Sequence, residues 1–418
     1  MSDNNNVFLL SSLPEVNDML TETLRQGAQR LLSVAIEAEV QQFIDAHAEL
    51  KDSSGRRLVV RNGYLPERPL QTGVGDVQVK VPRVRNHSDE PVSFCSSLLP
   101  PYLKRTKSVE ELIPWLYLKG ISTNDMGFAL KSLLGEEAKG LSVKNIGHLT
   151  QAWQAEHAQW QQKDLSSLRI VYAWADGVYL KARMDTKQCL LVIIGADETG
   201  KKHVLALHPG ERESTLSWQE VLLDLKRRGL RVGFELAIGD GALGFWAALS
   251  AIFPDTKQQR CWLHKTMNVL NKLPKSQQSS AKAHLHDIWL AETREDAEQA
   301  FDDFMTLYRV KYEKAVQCLA KDREALLAFY DFPAQHWHHI RTTNPIESMF
   351  ATVKLRTAKT RGCLSKKTGV AMVFKLAMSA QEKWPRLRGS NYVADIVRGI
   401  PFKDGIKQNQ TQKLVCAA

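Results

Sequence analysis

"LRIVYAWADGVYLK", residues 168–181, decides how the middle of this chain folds. Apolar and β-branched residues dominate it. A single acid, Asp176, follows Val171, Ala173 and Ala175 and precedes Val178 and Leu180. Two readings compete. Asp-Gly is a good hairpin turn, so the pair Asp176-Gly177 could end a strand. The following "VYLK" instead continues the strand pattern, and a carboxylate inside a sheet core is costly unless something pairs with it.

Further along, "QCLLVIIGAD" and "KHVLALHPG" are two more apolar runs bounded by turn signals, so the three read as an antiparallel meander. "STLSWQEVLLDLKRRGL" is an amphipathic helix with Ser214 placed to cap it. The strand "FELAIGD", the helix "ALGFWAALSAIF" and a short strand at "QQRCWLH" follow. The order β-β-β-α-β-α-β predicts a mixed five-stranded α/β sheet whose first three strands are antiparallel. Asp240 closes the fourth strand. Locally it reads as a cap or turn aspartate, but strand ends that lead into helices are where ligand groups gather in such sheets. If the first and fourth strands are neighbours, Asp176 and Asp240 point at one spot.

A third acid lies in "IRTTNPIESMFATVKLRT", residues 340–357. Asn344 suits an N-cap, Pro345 the first helical position, and Glu347 then falls at N3, where it could close a capping box. Ile346, Met349, Phe350 and Val353 form the core-facing stripe, with Glu347 at its edge beside Ala351 and Lys354. Three carboxylates would suit two Mg²⁺ ions, which favour oxygen ligands and, as a pair, serve phosphodiester chemistry. Residues 266–332, between Asp240 and this helix, are almost wholly helical in pattern.

Upstream, residues 15–50 keep helical spacing, and residues 55–85 are β-rich with a strictly alternating "VQVKV". From Ser108 three short helices follow, with Ser122 and Ser142 as caps and Gly120 and Gly140 in the turns. They suggest a helix-turn-helix unit whose third helix, carrying Lys144 and Asn145, reads DNA. A plain helical bundle is the alternative.

Composition is compatible with this. The 418 residues predict two or three domains, and 44% apolar content is that of an ordinary folded protein. No 18-residue apolar run spans a bilayer, "MSDNNNVFLL" lacks a basic signal-peptide region, and six scattered cysteines fit reduced thiols in a cytoplasmic protein. The net charge of +10 and a pI near 9.2 point to a polyanion. From Lys354 to Arg388 there are ten Lys or Arg and one acid, Glu382; "KVPRVR" and "YLKRTK" form another basic tract.

Other candidates read more plainly. Asp197 and Glu198 belong to a turn. Cys261 and His264 lack the spacing of a zinc finger with His284 or His286, and read as a packed cysteine with a hydrogen-bonded histidine; His264 is alternatively placed to approach DNA. "HWHHIR" (336–341) reads as a packing and phosphate-contact segment. Trp289 and Trp337 are core residues or stacking platforms for an unpaired base.

The motifs "VPRVR", "YLKGISTNDM", "WADGVYLK", "IGDGALGFW", "RCWLHKTMNVL" and "RTTNPIESMFATVKLRT" occur in this order over about residues 55–385. In these the chain resembles the Mutator-type transposases of bacterial insertion sequences, a DDE family with an RNase H-like catalytic domain. The resemblance implies that Asp176, Asp240 and Glu347 are the catalytic, metal-holding acids, and that the 106 residues between the last two contain the family's helical insertion. The family's Cys/Asp-x-x-His motif falls on Cys261 and His264. One departure is "SMFATVK" after the glutamate, where the family often has Arg or Asn, and this touches DNA contacts more than the acids.

The expected organisation is an N-terminal helical segment (1–54), a β-rich basic segment (55–107) and a helix-turn-helix-like region (108–165). An RNase H-like core (166–265), an all-helical insertion (266–335), final core helices (336–395) and a tail (396–418) follow. The expected function is a transposase that binds terminal inverted repeats and cuts and joins DNA with two Mg²⁺ ions, Mn²⁺ substituting. It would act on double-stranded terminal and target DNA as a dimer or larger synaptic complex, in the bacterial cytoplasm at the nucleoid, away from membranes. Cys261, His264, Lys265, Arg341, Asn344, Lys354, Arg356 and Arg361 are the expected supporting or DNA-contact residues, with Lys144 and Asn145. The alternatives are a nuclease of the same fold without strand transfer, or an inactive DNA-binding regulator.

Overall fold

A computed structural model describes residues 19–88, 92–109, 112, 116, 121, 123–134, 143–181, 187–210, 212–241, 243–359 and 366–408. The chain divides into two compact units, residues 1–146 and 147–418.

In the first unit, α1 (Met19–Ala46) buries Ile36, Val40 and Ile44, which recur every fourth residue along one face. Strands β1 (Val59–Tyr64) and β4 (Pro82–Asn86) pair antiparallel, as do β2 (Arg68–Thr72) and β3 (Gly75–Val79). The alternation in "VQVKV" is realised: Val77 and Val79 are buried while Gln78 is exposed. Ile36, Leu70, Val77, Val79, Val81 and Leu99 make one small core. Helix α2 (Thr123–Leu134) follows and buries Met126 and Leu130. The second helix of this region's close, α3 (Val143–Trp160), straddles the division between the units. Gly120, Ser122, Gly140 and Ser142, the expected turn and cap residues, lie outside the described residues.

The second unit is built on one five-stranded sheet in the order β7-β6-β5-β8-β9. Strands β5 (Ile170–Lys181), β6 (Lys187–Asp197) and β7 (Lys202–Gly210) form the antiparallel meander. Helix α4 (Thr215–Arg227) starts on the Ser214 side chain, which accepts a bond from the Ser217 amide as the sequence predicts. It carries the chain across to β8 (Leu236–Gly239), which lies parallel to β5. Helix α5 (Leu243–Ile252) then leads to β9 (Lys257–Arg260), parallel to β8. The sheet is therefore mixed, with the first and fourth strands adjacent.

β5 runs straight through Asp176-Gly177, which pair with Val192 and Leu191 of β6. The hairpin reading of Asp-Gly is thereby excluded. On one face Ala173 and Ala175 join Trp218, Leu222, Phe245 and Leu249 of α4 and α5 in a continuous core. On the other, Tyr172 and Trp174 meet the segment around residues 332–339.

Helices α6 (Trp262–Leu270), α7 (Lys275–Leu290), α8 (Arg294–Arg309), α9 (Glu313–Ala320) and α10 (Arg323–Leu327) follow β9. The chain returns through α11 (Trp337–Ile340) to α12 (Asn344–Lys359) and α13 (Lys366–Gln381). Ile346, Met349, Phe350 and Val353 of α12 are all buried, so the predicted stripe does face the core. Among the described residues, no helix is long and apolar enough to cross a membrane.

Candidate active site

The last parallel pair between β5 and β8 is Ala175 with Gly239. Asp176, within β5, and Asp240, just past the end of β8, are the residues that follow this pair, so the topology brings them side by side. Asp240 is fixed through its backbone: its carbonyl accepts bonds from Trp246 Nε1 and Arg260 Nη1, both 2.8 Å. The Arg260 guanidinium lies over the Trp246 ring at 4.4 Å, which ties the start of α5 to the end of β9.

Glu347 reaches the site from α12. Thr343, and not Asn344, caps this helix: its carbonyl accepts from the Ile346 and Glu347 amides at 2.9 and 3.2 Å. Glu347 consequently sits one position deeper than N3, and its carboxylate takes a different partner from the expected box. The Thr343 hydroxyl lies 3.2 Å from Glu347 Oε1 and donates to it. Thr343 is fully buried, and its amide donates to Cys261 Sγ at 3.4 Å.

His264 joins the acids. Its Nε2 lies 3.9 Å from Glu347 Oε1 and its Nδ1 3.5 Å from the Thr343 hydroxyl. Ligand atoms of Cys261, His264 and Glu347 all fall within 4.8 Å of one another. A hydrogen bond with Cys261 and the negative charges of Asp176 and Asp240 push the His264 pKa up to about 9, against the opposing effect of burial. The ring is therefore an imidazolium at neutral pH, the common electrostatic neighbour of all three acids. Burial pushes Asp176 up to about 7, with Asp240 and Glu213 adding repulsion and His264 opposing it.

Glu213 is a fourth carboxylate that the sequence reading missed. Burial and the charge of Asp240 raise its pKa, while a bond from Tyr179 and the charge of His264 lower it. The clue available in the sequence was Gly177, an isolated glycine inside a strand, which marks a close approach by another group. Thr343 carried no signal beyond its position before the helix.

The remaining expected contacts divide. Lys265 is 4% exposed; its ammonium donates to the Cys318 carbonyl at 2.8 Å and pairs with Asp322. It therefore braces α6 against α9 and α10, so of the two expected roles, supporting or DNA contact, its buried ammonium suits the first. Arg341 is likewise buried, with its guanidinium 4.4 Å from the Phe329 ring and 4.9 Å from that of Trp337, and burial lowers its pKa to about 10. Asn344 is exposed beside Glu347. Lys144, Asn145, Lys354 and Arg356 occupy helix positions whose side chains lie outside the described residues, as does Arg361 altogether.

"HWHHIR" packs as expected. His336 is wholly buried, accepts from the Tyr172 hydroxyl at 2.8 Å and donates to the Gly389 carbonyl at 2.9 Å. Trp337 is a core residue that donates to the Phe332 carbonyl, and Trp289 lies beside Arg341. Among the described residues, Trp384 lines a groove of about 540 Å³ with Lys202, His338, Asn344 and Glu347.

The family described as "Transposase, Mutator family" matches residues 5–386, and the chain belongs to it. It is 49% identical over 284 residues to the transposase for insertion sequence element IST2 of Acidithiobacillus ferrooxidans, covering 68% of this chain and 96% of that one. To the transposase for insertion sequence element IS6120 of Mycolicibacterium smegmatis it is 47% identical over 298 residues, covering 71% and 92%. A solved structure, the Drosophila P element transposase strand transfer complex, aligns with 70% of this chain and 91% of that one. Its TM-score of 0.25 and 11% identity carry no argument. Membership of a transposase family implies an enzyme that cleaves DNA and transfers strands, and transposases of this kind generally use divalent metal ions.

Proposed function

We propose that the chain is a DDE transposase of a bacterial insertion sequence, with an RNase H-like core and Asp176, Asp240 and Glu347 as its metal-holding acids. The observation that carries this reading is the placement of Asp176 and Asp240 one residue beyond the Ala175–Gly239 pair, with Glu347 held against their shared neighbour His264. The donor set fits hard divalent ions: Asp176, raised towards neutral pH by burial and further by the charges of Asp240 and Glu213, is ionised more readily beside a cation. Two Mg²⁺ ions there, with Mn²⁺ able to substitute, would activate the attacking oxygen and stabilise the leaving one.

The chain's own residues then have distinct tasks. The Thr343 hydroxyl fixes one oxygen of Glu347, leaving the other for the site. The positive charge of His264 partly offsets the acids, opposing the rise in the pKa values of Asp176 and Glu213. Trp246 and Arg260 hold the Asp240 backbone in place through its carbonyl. The open groove beside Glu347, with Lys202 and His338 along it, is where a DNA strand would reach the acids.

Water is the first nucleophile in this reading and a DNA 3′-hydroxyl the second. The N-terminal unit, including Lys144 and Asn145, and the basic face with Lys354, Arg356 and Arg361 bind the duplex. Terminal inverted repeats and target DNA are the substrates, and two or more protomers form the synaptic complex. Incubation of the full chain with terminal-repeat DNA and Mg²⁺ tests the proposal. Joined products that vanish in Glu347→Gln support it. Cuts without joining indicate a nuclease, and binding without either a regulator.

A further inference from the structure

We infer that Glu213 is a fourth carboxylate of the metal site, an inference that rests on the three-acid reading above. Glu213 lies in the connection between β7 and α4, a segment that carries no acid of the expected triad. Its side chain occupies the space where residue 177 would carry its first side-chain atom. A Cβ on Gly177 would stand 2.2 Å from Glu213 Cδ and 2.4 Å from Oε1. The residue following Asp176 must therefore be glycine for this carboxylate to lie where it does.

A second glycine secures the backbone of the same segment. A Cβ on Gly244, in the first turn of α5 just beyond Asp240, would stand 2.5 Å from the Glu213 carbonyl oxygen and 2.8 Å from the Thr215 nitrogen. Asp176 and Asp240 are thus each followed closely by a glycine that admits Glu213 or its backbone. The Tyr179 hydroxyl, on the same strand as Asp176, donates to the Glu213 carboxylate and orients it.

Packing alone does not account for this arrangement. A glutamate held for structure would gain by turning to a cation or to solvent, yet this one is half-buried beside Asp176 and Asp240 and shares their field. Divalent ions of this kind take oxygen ligands, and Glu213 adds a carboxylate to those of the three expected acids. It approaches beside Gly177, on the side of the sheet where Ala173 and Ala175 pack against α4 and α5, while Glu347 arrives from α12. The carboxylates therefore approach Asp176 from both faces of β5.

The test is a titration of full-length protein with Mn²⁺ alone, followed by electron paramagnetic resonance, on the wild type, Glu213→Gln, Gly177→Ala and Asp176→Asn. Glu213→Gln and Gly177→Ala should each weaken Mn²⁺ binding by tenfold or more, the second by displacing the carboxylate. Melting without metal should leave Glu213→Gln at least as stable as the wild type, because the change relieves repulsion among acids. If Asp176→Asn weakens binding while Glu213→Gln and Gly177→Ala stay within twofold of the wild type, the role of Glu213 is overturned and the three-acid site stands. If none of the three weakens binding, both readings fail. Should Glu213→Gln not fold, Glu213→Asp and Gly177→Ala decide between the same outcomes.

Discussion

Replacing Asp176 by Asn should stabilise the metal-free protein while abolishing DNA cleavage. In the fold the carboxyl has a pKa of about 7, chiefly because it is buried and faces Asp240 and Glu213, against 3.8 for a free aspartate. A folded-state pKa above the free value means that the protonated form favours folding. That contribution is complete below about pH 4 and is lost as pH rises through about 7. Asparagine resembles the protonated form at every pH and keeps it.

At roughly 1.4 kcal/mol per pH unit the gap is worth at most about 4 kcal/mol, and partial exposure brings it to about 2–4 kcal/mol. For a unit of this size the melting temperature should rise by about 5–10 °C. The assay is thermal melting in chelator at pH 4 and pH 8.5, then at pH 8.5 with Mg²⁺. Wild type and variant should nearly coincide at pH 4 and separate at pH 8.5, with Mg²⁺ raising the wild type and closing the gap. An Asp176→Asn protein that melts at or below the wild-type temperature in chelator at pH 8.5 would refute the reasoning.

Three further outcomes follow from particular contacts. Thr343→Val should reduce strand cleavage about tenfold, and cost only about 1 kcal/mol of stability, because it removes one hydrogen bond to Glu347 and keeps the backbone cap; a rate unchanged within twofold would remove Thr343 from the site. Lys265→Met should destabilise the fold by about 3 kcal/mol in denaturant titration, since Asp322 loses its main buried partner, and its DNA affinity should stay at the wild-type value. Glu347→Gln should lose cleavage and joining yet melt close to the wild type; a large loss of stability would return Glu347 to a purely capping role.

Much of the sheet was legible because buried strands announce themselves. "YAWA", "LLVIIGA" and "VLALH" are short apolar runs bounded by turn residues, and the meeting of Asp176 and Asp240 depended on the first and fourth strands being neighbours, which they are. The Asp-Gly pair was ambiguous because a turn and a close approach leave the same two letters. The pairing of Asp176-Gly177 with β6 excludes the turn, and the close approach is by Glu213, 36 residues away in sequence. The Glu347 helix was placed correctly but capped one residue late, since Asn344-Pro345 is locally as good a start as Thr343-Asn344. Lys265 and Arg341 looked like DNA contacts because basic residues near a proposed site resemble a surface. Their burial depends on Asp322, Phe329 and Trp337, from helices no local pattern connects to them.

The central claim is that Asp176, Asp240 and Glu347 hold the ions that act on DNA. Crystals soaked in Mn²⁺ and measured at the manganese absorption edge test it most directly. The account predicts anomalous density between Asp176 and Asp240, with a second peak towards Glu347, and its loss in Asp176→Asn. Density confined to Cys261 and His264, or unchanged in that variant, would contradict it.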